Sequence, residues 1–470
     1  MAALRPALTA ALAAALAGCA VGPTYRSPLP AAPAQGAFQS AAVAAFAPEP
    51  PPGDWWRLYR DPVLDRLVGQ ALTANTDLRV AAANLRQARA AVSEARASLL
   101  PTTTTSASVQ RGRTQAQGPT LPAATGNTFD VGLDVSYEVD LFGKLRRTIE
   151  AARADAGSVK AAYDLTRITV AAETARAYAD ACSANQQLAV ARRSLDLEQK
   201  SYDLTVRLLN AGRDTTLDTA RVGALLEQTR ATIPSLEAAK SSALFRLAVL
   251  TGQPPAQFAP EAAACAAPPT LTTPIPVGNG AILLRRRPDV REAERNLAAA
   301  TARVGVATAD LYPSVTLGGS VGSTAGSLHG LGSEPAFRWS FGPLIQWNFP
   351  NIFAAKARVG EAKAVADAAV ASFDGTWLVA LRDTETALTQ YAQDLDRLAD
   401  LGRARDQSAK AQQAAAQRFQ AGYASSLDLL DAERTLADAQ AAFAQAQAQV
   451  ADDQVTLFLQ LGGGWEQKTD

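Results

Sequence analysis

Gly318-Gly319-Ser320-Val321-Gly322 fits the Gly-x-Ser-x-Gly pattern that presents a nucleophilic serine. That chemistry needs a sharp strand-to-helix turn beneath the serine and an imidazole to take its proton. Here the motif lies inside a strand-like stretch with no helix after it. The sole histidine, His329, falls in a glycine-rich segment that reads as a surface hairpin loop. Acyl transfer is therefore not expected, and no other catalytic constellation stands out. One histidine and one methionine, the initiator, offer little to a soft-metal site, so no metal or cofactor is expected. Two other groups carry chemistry. Asp428 and Asp431 are spaced to put both carboxylates on one helix face, where the plain alternative is a solvated face with a favourable charge near a helix N-terminus. Cys182 and Cys265 form an even set of thiols outside the N-terminal segment. In an oxidising compartment they are expected to pair, stapling the loop PEAAACAAPP to a long helix; two buried free thiols are the alternative.

The compartment is legible at the start of the chain. Arg5, an apolar run from Ala7 to Ala17 and a small-residue end give residues 1–18 a secretory signal layout, too short to span a membrane. Leu16-Ala17-Gly18-Cys19 resembles the bacterial lipobox, which implies an acylated Cys19; an ordinary signal peptide with a stray cysteine is the alternative. Ala20 is not the aspartate that signals inner-membrane retention among lipoproteins, so the outer membrane is the expected address.

Positioning these groups falls to long elements. Lysine plus arginine balances aspartate plus glutamate, 45 against 45, so nothing marks a nucleic-acid partner. Alanine dominates the apolar residues, which suits helices packed closely side by side. The chain also repeats itself. NAGRDTTLDTARVGALLEQ from Asn210 aligns without gaps to QAGYASSLDLLDAERTLAD from Gln420, and Leu247 and Gly252 recur as Leu457 and Gly462. Each half reads helix, strand, strand, long helix, turn, returning helix. The helices from Leu145 to about Leu209 and from Ala354 to about Gln420 contain no proline and could each extend roughly 95 Å. Their interspersed charges argue against a membrane span and for packed helices in a polar medium. Thr215, Thr216, Ser425 and Ser426 offer N-cap oxygens to the returning helices, and Pro234 is expected to kink the first of them. Pro/Ala stretches read as linkers at 19–54 and 254–284. They bracket a first repeat at 55–253 and precede a second at 285–461, with a tail at 462–470.

The strands pose the sharper question. In TFDVGLDVSYEVD, Phe129, Val131, Leu133, Val135, Tyr137 and Val139 alternate with Asp130, Asp134, Glu138 and other polar or small residues. AFRWSFGPLIQWNF repeats the pattern with Phe337, Trp339, Phe341, Ile345, Trp347 and Phe349. One such strand alone fits a sandwich with a wet face. Four candidate strands, at about 102–112, 128–140, 313–325 and 336–349, cannot close a bacterial membrane barrel, which needs about eight. If these strands span a membrane, several chains must pool them, with Val131 and Trp339 toward lipid and Asp134 and Glu138 toward water. The basic cluster Lys144 to Arg147 would then mark the exit from the bilayer.

In order along nearly the whole chain, the lipobox with VGPTYRSP, WWRLYRDPVLDRLVGQALTANTDLRVAAANLRQARA, YEVDLFGKLRR and LLRRRPDVREAERNLAAATARVGVATADLYPSVTLGG resemble the NodT-type outer-membrane lipoproteins. These are TolC-like outer-membrane factors of tripartite efflux systems. The resemblance implies a mainly α fold with a transmembrane β-barrel portion: a homotrimer sharing a 12-stranded barrel with four strands per protomer, continued by a long α-helical barrel through the periplasm. It implies a passive exit duct that docks a periplasmic adaptor and an inner-membrane pump, usually of the resistance-nodulation-division class. It further implies adaptor contacts at the turns Asn210, Ala211, Gly212, Arg213, Thr216, Leu217 and Asp218, and Gln420, Ala421, Gly422, Ser425, Ser426 and Leu427. Asp428 and Asp431 match the paired gate aspartates, which in three copies would form an acidic ring. Mutual repulsion in such a ring raises carboxyl pKa values. Phe419 and Ala424 depart from the prototype's tyrosine and arginine, and Arg213 is expected to link to Asp218 instead. A lipid-anchored coiled-coil scaffold of the periplasm is the competing reading.

Overall fold

The computed structural model describes residues 20–28, 32–113, 125–271, 273–350 and 352–463. Its helices are α1 (Pro62–Ala74), α2 (Thr76–Ala97), α3 (Lys144–Asn210), α4 (Thr216–Leu250), α5 (Pro260–Ala263), α6 (Gly280–Arg286), α7 (Pro288–Ala309), α8 (Ile352–Gln420) and α9 (Ser426–Gln460). The strands are β1 (Phe46–Ala47), β2 (Thr102–Arg113), β3 (Thr125–Val139), β4 (Ile275–Pro276), β5 (Ser314–Ala325) and β6 (Phe337–Gln346). The chain divides into two compact units.

The first unit takes Asn84–Lys160 and Glu292–Asp374 together with the described residues 20–28. Its centre is a four-stranded antiparallel sheet in the order β2-β3-β5-β6. The register sorts side chains by chemistry. Val131 faces Ala107 and Ser323, Leu133 faces Thr105 and Val321, and Val321 in turn faces Trp339, so the odd-numbered residues share one largely apolar face. The even-numbered face carries Ser106, Ser108, Asp130, Asp134, Glu138, Thr316, Ser320, Thr324, Arg338 and Ser340. The face that should form a core is bare: Trp339 is 72% exposed, Phe341 76% and Ile345 67%. Leu344 breaks the rule by sitting, exposed, on the polar side. Beside the sheet, the start of α3 packs on α7 through Ala154, Ala298 and Ala299, and Arg303 pairs with Asp155 at 2.6 Å.

The second unit takes Pro30–Ala83, Ala161–Arg291 and Gly375–Asp470. Its core forms where the middle of α3 meets α1, α8 and α9. Trp55, fully buried, stacks on Phe458 with ring centroids 4.7 Å apart, among Leu64, Leu67, Leu247, Leu388 and Leu457. Removal of an indole packed in this way costs about 3–5 kcal/mol. Asp61 caps α1, accepting from Val63 N at 2.8 Å, and Pro62 occupies the first turn, where its missing N–H is no loss. Cys182 of α3 and Cys265 are joined as a disulfide. The Pro/Ala segments are more structured than linkers, because β1 pairs parallel with β4 and Ile275 and Val277 are buried against the helices. Helix α4 runs unbroken through Pro234. By length and composition, part of α8 is apolar enough to cross a membrane despite the helix's charges. Small alanine and valine side chains supply that apolarity, and they also suit close helix packing.

Candidate functional site

The two turns at the ends of the long helices have the same construction. At the first, Gly212 takes φ +69°, Gly212 N donates to Leu209 O and Arg213 N to Leu208 O. At the second, Gly422 takes φ +77°, Gly422 N donates to Phe419 O and Tyr423 N to Arg418 O. This pair of bonds closes a helix only around a left-handed residue, for which glycine has no steric cost. Three residues beyond the glycine, a hydroxyl restarts the chain as a helix. Thr215 Oγ1 accepts from Asp218 N, and Ser425 Oγ from Asp428 N, each at 3.2 Å. The second turn adds the reciprocal bond, Ser425 N to Asp428 Oδ2 at 2.9 Å, completing a capping box.

That construction gives Asp428 a structural task alongside its candidate gate role. The bonds from the Ser425 backbone and hydroxyl hold its carboxyl below the ordinary range, and the Thr215 hydroxyl does the same for Asp218. Within one chain the pull is therefore downward, opposite to the upward shift expected of an assembled acidic ring. Asp431 pairs separately with Arg434 at 2.9 Å, an exposed contact of small energetic value. The expected Arg213–Asp218 link is replaced: Asp218 bonds Thr215 and lies 3.5 Å from Arg221, one turn along the same helix face. Asn210, Ala211, Gly212, Arg213, Thr216, Leu217, Gln420, Ala421, Gly422 and Leu427 are exposed, with Ser426 half-buried. Leu217 and Leu427, at matched repeat positions, are 57% and 51% exposed. Sequence reasoning missed Tyr423, 79% exposed at the tip of the second turn. An aromatic directly after the turn glycine was the available signal.

Behind Asp431, between α3 and α9, lies a buried acid pair that the sequence reading also missed. Glu198 is 1% exposed and Glu433 3% exposed. Thr229 of α4 donates to Glu198 at 3.0 Å, and Ser201 to Glu433 at 2.6 Å. Burial pushes Glu198 up to about 7, reinforced by the charges of Glu433 and Asp438, and burial raises Glu433 as well. A cavity of about 280 Å³ at the foot of the sheet is ringed by Glu138, Asp140, Lys144, Asp310 and Arg358. The basic cluster there is largely neutralised, with Lys144 on Asp310 at 2.8 Å, Arg146 on Asp140 at 3.1 Å and Arg147 on Glu150 at 2.7 Å. Ser320 lies inside β5 and shares a hydrogen bond with Ser340 at 2.7 Å, without the strand-to-helix turn a nucleophile needs. Cys19 and the signal segment 1–18 lie outside the described residues.

Residues 67–253 and 281–463 match the family described as Outer membrane efflux protein. The chain is 31% identical over 458 residues to nodulation protein T of Rhizobium leguminosarum bv. trifolii, covering 96% of this chain and 95% of that one. It is 31% identical over 466 residues to outer membrane protein OprJ of Pseudomonas aeruginosa, covering 97% and 95%. Its fold superposes on the outer-membrane channel OprN with a TM-score of 0.90 at 38% identity, over 95% of this chain and 100% of that one.

Proposed function

Because this chain belongs to the outer membrane efflux protein family, and is an outer-membrane exit duct that works with adaptor and inner-membrane pump partners, we propose that three copies share one barrel wall. The observation that carries the trimer is the sheet's pair of open edges. Strands β2 and β6 are exposed along almost their whole length, and three antiparallel steps leave them running in opposite directions. The β6 edge of one copy can therefore pair antiparallel with the β2 edge of the next. Four strands cannot seal themselves from lipid; twelve fall within the range of bacterial barrels. Exposed Val365, Val370, Leu378 and Val379 on α8 offer further apolar surface for a neighbouring helix.

In this reading the odd-numbered face meets lipid and the helices lie in the periplasm. Tyr312, Trp347, Phe349 and Phe353, all exposed, supply an aromatic belt at the foot of the barrel. We infer that Cys19 is lipidated, and the residues that follow it support this. Val21 N donates to Phe142 O at 3.1 Å, and Ala20 packs so closely on Gly143 that a side chain there would collide with it. Ala20 and Val21, the residues that follow Cys19, thus lie where β3 gives way to α3, next to the stacked Phe142–Tyr312 pair. The two turns meet the adaptor, Asp428 and Asp431 ring the entrance, and the pump is of the resistance-nodulation-division class.

A lysine on either face of β6 tests the barrel. Phe341→Lys, on the apolar side, costs about 2–4 kcal/mol per copy at the bilayer midplane and is expected to abolish the inserted oligomer. Ser340→Lys, one residue away on the polar side, is expected to insert normally. Native mass spectrometry in mild detergent counts the chains: three per particle with the face-dependent loss supports the proposal. One chain per particle, with both lysines tolerated, would overturn it.

A further inference from the structure

The polar face of the sheet carries an unequal set of charges. Its described residues include three carboxylates, Asp130, Asp134 and Glu138, against one guanidinium, Arg338. That guanidinium is committed to one of the three. Arg338 reaches from β6 across β5 to β3, donating to both Asp130 oxygens at 3.0 and 2.8 Å and to Thr324 at 3.0 Å. Thr324 completes the cluster by donating to Asp130 at 2.6 Å. The reach depends on a bare lane. Gly132 pairs with Gly322, and Gly322 with Arg338. A Cβ at Gly322 would stand 2.8 Å from Val131 O and 3.3 Å from the guanidinium carbon, and one at Gly132 would stand 3.6 Å from the guanidinium nitrogen. Two glycines side by side thus let the arginine lie flat along the wall instead of projecting from it.

We propose that Arg338 is a specificity-determining residue for permeation: by neutralising Asp130 alone, it sets how strongly the barrel wall prefers cations to anions. Three acids less one base leave a net two negative charges per copy on the polar face of the strands, and symmetry repeats them around the lumen. The inference rests on the shared barrel, since only then does the polar face line a water-filled passage. Asp134 and Glu138 supply the negative field, and Arg338 limits it. Positively charged cargo is favoured in the wall region, whatever the entrance contributes.

The test is the reversal potential of single channels in planar bilayers under a potassium chloride gradient, read as the ratio of potassium to chloride permeability. It is recorded for the unsubstituted channel and again with Asp428→Asn and Asp431→Asn, so that the narrow entrance does not mask the wall. Three guanidiniums about 10 Å from a permeating ion, in water and over about one Debye length, change this ratio by about two- to fivefold. Arg338→Gln is expected to raise the ratio by that factor, Asp130→Asn to lower it, and Asp134→Asn with Glu138→Gln to lower it furthest. Arg338→Lys keeps the charge while losing the second donor that reaches Thr324, and is expected to leave the ratio near that of the parent. This separates charge from wall geometry. Channels that form normally but keep one ratio across all four variants would overturn the role of Arg338 while leaving the barrel intact. An unsubstituted protein that forms no channel would instead remove the barrel reading, and this inference with it.

Discussion

Glu198→Gln isolates the consequence of burying an acid where α3, α4 and α9 pack together. A folded-state value of about 7 against an ordinary 4.5 means that folding favours the neutral carboxyl. The sign follows: with the folded value raised, the stabilising proton is held by both states below about pH 4.5, only by the folded state between 4.5 and 7, and by neither above. Stability therefore falls as pH rises through that window and levels off above it. Two and a half units correspond to about 3 kcal/mol, or more than a hundredfold in the local opening constant. Burial is the largest cause, the charges of Glu433 and Asp438 from α9 add to it, and the hydrogen bond from Thr229 of α4 offsets it only in part. Hydrogen exchange of residues 195–202 and 430–437 reads the effect, as protection factors with the chemical exchange rate divided out. In the unsubstituted protein protection should drop by about two orders of magnitude from pH 5 to pH 7.5. In Glu198→Gln it should vary far less and, at pH 7.5, exceed that of the parent. Equal pH dependence in both proteins would refute the assignment, as would flat protection in the parent.

Two further outcomes concern the entrance and the bridge. Asp428→Asn with Asp431→Asn should raise ion conductance and weaken block by multivalent cations in planar bilayers; unchanged conductance and block would remove the gate assignment. Asparagine is preferred to alanine because it retains a side-chain oxygen to accept from Ser425 N in the α9 capping box. Cys182→Ala with Cys265→Ala should lower resistance of the helical unit to denaturant, because a bridge across 83 residues removes about 4–5 kcal/mol of unfolded-chain entropy. Reductant should reproduce the loss in the parent and leave the double variant unmoved; a parent indifferent to reductant would count against a stabilising bridge.

The long helices and the strands were legible because their periods are unbroken and their ends are punctuated. Gly212 and Gly422 stop α3 and α8, Thr215 and Ser425 start the helices that return, and alternation from Phe129 to Val139 can fit only a strand with unlike faces. The repeat then carried each reading from one half to the other. What stayed hidden depends on residues distant in sequence. Glu198 and Glu433 look like ordinary charges on solvated helices until α3 and α9 close over them. Arg338 and Asp130, 208 residues apart, meet only because β5 enters the sheet between β3 and β6. The pairing of Phe46 with Ile275 was illegible for another reason: two-residue strands among prolines and alanines carry no period to detect. Asp428 was legible as an acid in the first turn of α9, but the downward pull on its carboxyl depends on how Ser425 folds back onto it.

The Cys182–Cys265 bridge also makes the two turns unequal toward proteases. A single cut after exposed Arg213 falls within the loop the bridge closes, so both fragments stay covalently joined and separate on a gel only after reduction. A cut after exposed Tyr423 falls outside that loop and detaches everything beyond it as a separate polypeptide. Although the halves fold alike, damage at one turn leaves a single covalent assembly, whereas damage at the other leaves the last helix held by packing alone.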